Sequence, residues 1–444
     1  MHVHSLELAP LYCKDYQFGD DSVIGASVCV NRDVYHGSLV KGGGSMTSLV
    51  PKRMLGGSTR PTVCLIVTAE ITALTFYRGF LAYLVSMGWN VVLIGSSSGA
   101  LETFAESQGA TAIPIEMRRE PSPLQDLLSL VRMLRVLAVL KPHVVMTATP
   151  KASLIGNLAA YLCRVPVRVY QLWGLRMETE SGRRRRLLAR LESLTARLST
   201  QVVANSTSLA SRAHELHVDG GKVVTVLGRG SSHGVNVNHF SREAVMGDVE
   251  PHTSIFLAAT RGQFKVGFIG RLHPDKGIST LLEAARLCRS RGVNISILIV
   301  GPIESESVAA EIRGATAELR IQVVGPVTDT RPYLRSMDVL CLPTLREGFP
   351  NVVLEAAAMG LPTIASDATG SVDSVVDGVT GLLFPVRDSA ALAAALELLA
   401  LDDAYRSRLG FQARHHVQKF FATEKIWPLL ESNLKTQLKV AEER

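Results

Sequence analysis

The stretch DVLCLPTLREGFPNVVLEAAAMGLPTIAS, Asp338 to Ser366, decides the fold. It opens on a short apolar run, passes a polar loop holding Thr344, Arg346 and Glu347, and then turns helical. Pro350 suits the first turn of a helix, where its missing N–H costs nothing. Asn351 to Met359 reads as that helix, and Gly360 suits the left-handed position after it. A second apolar run, LPTIAS, follows at once. Strand, loop, helix and strand in so short a span make a βαβ unit, which requires a parallel sheet with helices on its faces.

The same stretch carries chemistry. Glu347 lies in the loop and Glu355 on the helix, with the N–H groups of Gly348, Phe349 and Asn351 between them. In open parallel sheets, ligands sit beyond the carboxyl ends of the strands. A carboxylate accepts hydrogen bonds from vicinal hydroxyls, and a helix N-terminus favours a phosphate. Sugar, diphosphate and ribose together compose a nucleotide-sugar. The plainer alternatives are a dipole-complementing acid for Glu355 and a solvated loop acid for Glu347. On these residues alone the two readings weigh about evenly.

Upstream, GFIGRLHPDKGIST gives a second turn of this kind. A strand ends at Gly270. Arg271 and Lys276 follow in a tight turn closed by Gly277, and a helix starts near Ile278. Cations beside a glycine turn and a helix start suit a diphosphate. The strands FKVGFIG, NISILIV, RIQVVG, DVLCLPT, LPTIAS and GLLFP then alternate with helical stretches. Before residue 228 the same rhythm runs through TVCLIVT, NVVLIGSS, GATAIPI, PHVVMTATP and VPVRVYQLW. It breaks over 228–262, read as irregular. The expectation is two doubly wound α/β domains: 59–240 and 241–420. A Gly- and Ser-rich flexible extension (1–58) precedes them, and a C-terminal helix (421–444) packs back toward the first domain.

Composition narrows the function classes. The chain has 444 residues, 47% hydrophobic and 20% charged, so it builds sizeable cores. None of its six cysteines forms a CxxC pair, and several lie in apolar runs, which fits buried thiols in a reducing compartment. No metal site is expected. The net charge of +7 is uneven: residues 59–240 hold 20 Lys and Arg against 11 Asp and Glu, and residues 241–444 hold 22 against 24. The basic half implies an anionic partner. No apolar run reaches transmembrane length and no signal-peptide pattern opens the chain. The expected location is cytoplasmic or peripheral on the inner face of the plasma membrane.

Two segments together identify a resemblance. EGFPNVVLEAAAMGLPTIASDATGSVDSVVDGVTGLLFP resembles the E-x7-E segment of retaining glycosyltransferases of family 4, and GFIGRLHPDKGISTLLEAARL resembles that family's phosphate-binding turn. The first half is similar to a bacterial polysaccharide-assembly branch through TFYRGFLAYLVSMGWNVVLIGSSSG, TPKASLIGNLAAYLCRVPVRVYQLWGLR, VVANSTSLA and VLGRGSSHGVNVNHF. The resemblance covers roughly residues 62–435. It implies the GT-B fold, two Rossmann-like domains facing a cleft, and no cofactor beyond a nucleotide-diphosphate-sugar donor. It assigns Arg271 and Lys276 to the diphosphate, Glu355 to the ribose and Glu347 to the donor sugar. Gly348, Phe349, Asn351, Gly270 and Thr344 complete the implied contacts. It further implies transfer with retention, the leaving diphosphate taking the acceptor's proton. Many relatives carry a His-Gly pair where this chain has Trp173 and Gly174. That change suits a donor lacking a 6-hydroxyl; a packed aromatic at a strand end is the favoured alternative.

The sequence SGRRRRLLARLESLTARLS places Arg183, Arg184, Arg185 and Arg186 before a helix rich in leucine. With Arg118, Arg119, Arg132 and Arg135 it forms a candidate contact for anionic lipid. The competing reading is a surface helix packed on its own domain, the commoner arrangement. A lipid-linked saccharide acceptor suits both charge and lipid. A dehydrogenase would need GxGxxG after the first strand, where this chain has AEITALTF. Nucleic-acid binding ranks low, since aromatics are 6% and the basic run lacks interleaved stacking residues. A nucleotide-sugar epimerase of the same two-domain fold is the remaining alternative.

Overall fold

A computed structural model describes residues 60–118 and 120–443. The extension read at 1–58 and Arg119 lie outside the described residues. The first sheet contains β1 (Thr62–Ala69), β2 (Asn90–Ser96), β3 (Thr111–Pro114), β4 (Val144–Thr147), β5 (Val167–Leu172), β6 (Gln201–Ala204) and β7 (Val224–Val226). Its order is β3-β2-β1-β4-β5-β6-β7, with every pairing parallel. Between the strands run α1 (Glu70–Phe76), α2 (Phe80–Ser86), α3 (Ala100–Ser107), α4 (Pro123–Leu140), α5 (Pro150–Leu162), α6 (Gly182–Leu198) and α7 (Thr207–Glu215).

The chain winds outward from β1 in both directions. Right-handed crossovers then place α1 to α3 on one face and α4 to α7 on the other. The cores agree. Phe80, Leu81, Leu84 and Leu101 cluster with Val63, Leu65 and Leu93. Met133, Val136, Leu137 and Ile155 cluster with Cys64, Ile66 and Ile94. Alternate residues of β1 thus feed opposite cores, the mark of a strand covered on both faces.

The second sheet holds β8 (Phe264–Ile269), β9 (Ile295–Val300), β10 (Arg320–Val324), β11 (Val339–Leu342), β12 (Thr363–Ser366) and β13 (Gly381–Phe384), in the order β10-β9-β8-β11-β12-β13. Its helices are α8 (Pro251–Ala259), α9 (Ile278–Ser290), α10 (Glu306–Ala315), α11 (Arg331–Arg335), α12 (Asn351–Ala358) and α13 (Ser389–Leu401). The chain closes with α14 (Asp403–Phe420) and α15 (Thr423–Glu442). All six strands read in this half are present. In the first half the reading missed β6 and β7. The segment read as irregular contains α8, which Pro251 starts.

The helix α15 lies on the first domain. Trp89 Nε1 donates to Glu431 Oε1 at 3.1 Å, and Gln201 and Asn433 exchange amide hydrogen bonds at 3.0 and 2.9 Å. Trp427 packs against Phe80 and Tyr83 and donates to the His233 carbonyl. Its own crossing point is a bridge between Val235 and Ala422.

Candidate active site

In the second sheet the winding direction reverses between β8 and β11, so a crevice opens beyond their carboxyl ends. Gly270 follows β8 there, and the loop from Thr344 to Pro350 follows β11. The two turns interlock. Gly277 has φ 69°, and a Cβ on it would lie 1.9 Å from the Pro343 carbonyl oxygen, so only glycine brings the turn this close to β11.

Lys276 and Glu347 meet in this crevice. Lys276 Nζ lies 2.6 Å from Glu347 Oε1, and both side chains are mostly buried. Arg271 pairs with Glu304 at 2.6 Å. The centre of the cluster is a residue the sequence reading passed over, Asp275. Its carboxylate accepts from Arg346 Nη2 at 2.9 Å and lies 2.7 Å from His273 Nδ1 and 3.9 Å from Arg271. Burial alone would raise its pKa. The charges of Lys276, Arg346 and Arg271, with the His273 hydrogen bond, outweigh burial and hold it below the usual carboxylate range. One buried anion thus orients cations from both turns. Its signal was present in PDK, a lone acid between Arg271 and Lys276.

The other expected residues divide. Glu355 sits in α12 and is 5% exposed. Asn351 opens α12, with its Oδ1 buried and without a hydrogen-bond partner. Among the described residues, no backbone acceptor pairs with the N–H of Gly348 or Phe349. The Phe349 ring packs on Phe421, so only its backbone faces the crevice chemistry. Thr344 differs from expectation. It is fully buried, and its hydroxyl lies 3.1 and 2.9 Å from the carbonyls of Asp275 and Arg346. It braces the two turns from behind and offers a ligand no surface.

The first domain closes one side of the crevice. A Cβ on Gly348 would lie 2.0 Å from the Trp173 carbonyl oxygen, so the Glu347–Gly348 loop rests directly on the end of β5. The Trp173 ring stacks on Phe76 at 4.7 Å, and Phe76 meets His233 edge-on at 5.0 Å. Trp173 is therefore a packed aromatic. Burial lowers the His233 imidazole to about 4, which keeps it neutral at physiological pH. At the same edge, Thr149 takes φ 69°, rare for a β-branched residue, and its hydroxyl bonds Thr68. Lys151 follows, pairing with Asp126 at 2.8 Å.

The basic helix α6 exposes Arg183, Arg184, Arg186, Arg190 and Arg197. Its leucines divide: Leu187 and Leu194 are also exposed, while Leu188, Leu191 and Leu198 are half-buried. On the same face, beyond α5, α4 exposes Leu124, Leu127 and Leu128 at 81%, 57% and 50%. Among the described residues, no group of three acids, histidines or cysteines has metal-site geometry, and no helix is long and apolar enough to cross a membrane.

Comparison with known proteins gives a consistent picture. Residues 75–227 match the family model "Glycosyl transferase 4-like domain", and residues 263–402 match "Glycosyl transferases group 1". The chain is 32% identical over 367 residues to the capsular polysaccharide biosynthesis glycosyltransferase CapM of Staphylococcus aureus, covering 82% of this chain and 94% of CapM. It is 25% identical to a UDP-Gal:alpha-D-GlcNAc-diphosphoundecaprenol alpha-1,3-galactosyltransferase of Escherichia coli, covering 68% of this chain and 77% of that one. Among solved structures, Anabaena Alr3699/HepE in complex with UDP superposes with a TM-score of 0.67 at 19% identity, covering 85% of this chain and 100% of that chain. The sucrose-phosphate synthase of Thermosynechococcus elongatus does so at 0.69 and 20% identity, covering 86% and 100%. With two parallel-sheet domains joined across a crevice and this relationship over most of its length, the chain belongs to the family 4 glycosyltransferases of the GT-B fold.

Proposed function

We propose that the protein transfers a sugar, with retention, from a nucleotide-diphosphate-sugar to a lipid-linked saccharide in cell-surface polysaccharide assembly. Residues 241–420 bind the donor, residues 59–240 the acceptor, and the helix in 421–444 ties the two. Arg271 and Lys276 hold the diphosphate and stabilise charge on the departing oxygen, an electrostatic contribution made without a bound metal. Glu355 takes the ribose hydroxyls and Glu347 the donor sugar. The N–H groups of Gly348 and Phe349, with the start of α12, support sugar and phosphate. The acceptor oxygen attacks the face that the diphosphate leaves, and the diphosphate takes its proton.

One observation carries this reading: a phosphate-suited cation and a hydroxyl-suited carboxylate stand 2.6 Å apart at the switch point of the sheet. The lipid-linked acceptor rests on the Escherichia coli relative's substrate and on the exposed arginines and leucines of α4 and α6. Those helices share one sheet face. Peripheral attachment at the inner membrane face follows.

A thermal-shift screen of UDP- and GDP-sugars identifies the donor. With that donor, Glu347→Ala is expected to abolish transfer while nucleotide binding persists. Full activity in Glu347→Ala would remove Glu347 from the site.

A further inference from the structure

The loop carrying Glu347 is held from both sides by the first domain. The helix α7 starts with Ser206 as its cap, accepting from the Leu209 N–H. Its second residue, Ser208, points at the other domain. The Ser208 N–H donates to both Asp373 oxygens at 3.3 and 3.2 Å, and the Ser208 hydroxyl donates to Asp373 Oδ2. The same hydroxyl accepts from the Gly370 N–H at 2.7 Å. A carboxylate at a helix N-terminus gains from the helix dipole as well as from these bonds.

The segment so gripped backs the catalytic loop. The Thr369 carbonyl accepts from the Glu347 N–H at 2.8 Å. Thr369 Oγ1 donates to Glu178 Oε1 of the first domain at 2.8 Å, and Glu178 is in turn paired with Arg212 of α7 at 3.2 Å. On the other flank, Arg346 Nε donates to Thr179 Oγ1 at 3.0 Å. Residues on either side of Glu347 are thus fixed by contacts from the first domain.

We propose that Ser208 and Asp373 are positioning residues: their pair latches the two domains closed and sets the Glu347–Gly348 loop against Trp173. This rests on the role of Glu347 proposed above. The nucleotide contacts Arg271, Lys276 and Glu355 all lie in the second domain, so the latch acts on turnover and leaves nucleotide affinity in place. Misplacing a reacting group by about 1 Å costs up to roughly 10²-fold in rate.

The test compares the full-length wild type with Ser208→Ala, Asp373→Ala, the double variant and Asp373→Asn. UDP affinity is read by calorimetry and turnover with the UDP-sugar the wild type accepts. The expected result is a kcat about 10- to 100-fold lower in either alanine variant, with the UDP Kd changed less than about threefold. The double variant should lose no more than the larger single loss, because the two residues form one interaction. Asp373→Asn, which keeps one acceptor oxygen, should recover part of the rate. Normal turnover in both alanine variants overturns the proposal. So does a loss of UDP affinity as large as the loss of rate, or multiplicative losses in the double variant. Small-angle scattering without nucleotide decides the latch independently of any donor. A larger radius of gyration in Asp373→Ala than in wild type supports it, and superposable curves overturn it. A wild type that turns over no UDP-sugar would count against the donor reading alone.

Discussion

Replacing Asp275 with asparagine removes one buried charge and keeps the side chain's volume. The wild-type carboxylate is 5% exposed and serves Arg346 at 2.9 Å, His273 at 2.7 Å and Arg271 at 3.9 Å. Breaking a buried ion pair from one side costs about 3–5 kcal/mol, because the partner charge stays behind. Here Arg271 keeps Glu304 and Lys276 keeps Glu347, so Arg346 bears most of the loss. An expected cost is about 3 kcal/mol. For a domain of this size that is a fall of about 6–12 °C in Tm. The pH dependence has a fixed sign. The folded pKa lies below 3.8, so the carboxylate contributes its stability above that value and gives it up as pH falls through the folded one. Thermal melts of wild type and Asp275→Asn should therefore differ fully at pH 7 and converge only below pH 3.8, as pH falls through the folded pKa. Turnover at pH 7 should also fall, since Arg346 adjoins Glu347. A variant with wild-type Tm and rate at pH 7 would refute the view of Asp275 as the cluster's counter-ion.

Three further outcomes are expected. Gly348→Ala places a methyl 2.0 Å from the Trp173 carbonyl oxygen, so kcat should drop by about 10²-fold; an unchanged kcat would mean the loop does not need that contact. Burial raises the Glu192 carboxyl to about 7, against a hydrogen bond from Tyr170 that lowers it. Its ionisation thus costs stability as pH rises from about 4.5 through 7, so Glu192→Gln should gain roughly 1–2 kcal/mol on wild type between pH 5 and 8, read as a widening Tm difference. In flotation with anionic vesicles, wild type should bind at low salt. Charge reversal at Arg183 to Arg186 should abolish this, and Leu124, Leu127 and Leu128 changed to serine should weaken it even at low salt; no binding by wild type would remove the membrane surface.

Much of this fold was legible because burial on both faces leaves its mark on composition. VLCL is apolar throughout, and FKVGFI and ISILIV carry one polar residue each, as befits strands of a covered parallel sheet. The crevice was legible for a related reason: Arg271, Lys276 and Glu347 sit where strands end and apolar residues stop. QVVA and VTV were missed because three or four residues carry no period, and β7, at the sheet's edge, is only half-buried. Thr344 was misjudged because a threonine at a strand end looks the same whether it faces a ligand or a neighbouring turn. Ser208 and Asp373 were invisible. They stand 165 positions apart, and each alone is an ordinary helix-start serine or loop acid.

That last failure bears on how the enzyme divides its work. The proposed nucleotide contacts lie within one domain, on turns close in sequence or on adjacent strands, where a sequence pattern can mark them. The Glu347 carboxylate is different, because its loop rests on Trp173, its backbone is held through Thr369, and its neighbour Arg346 reaches Thr179. On the proposed reading, nucleotide binding draws on the second domain alone, whereas orientation of the sugar draws on both. Interactions made only in the assembled state raise kcat rather than affinity. Substitutions along the seam should therefore separate turnover from binding, and substitutions in the turn at Arg271 to Lys276 should move both.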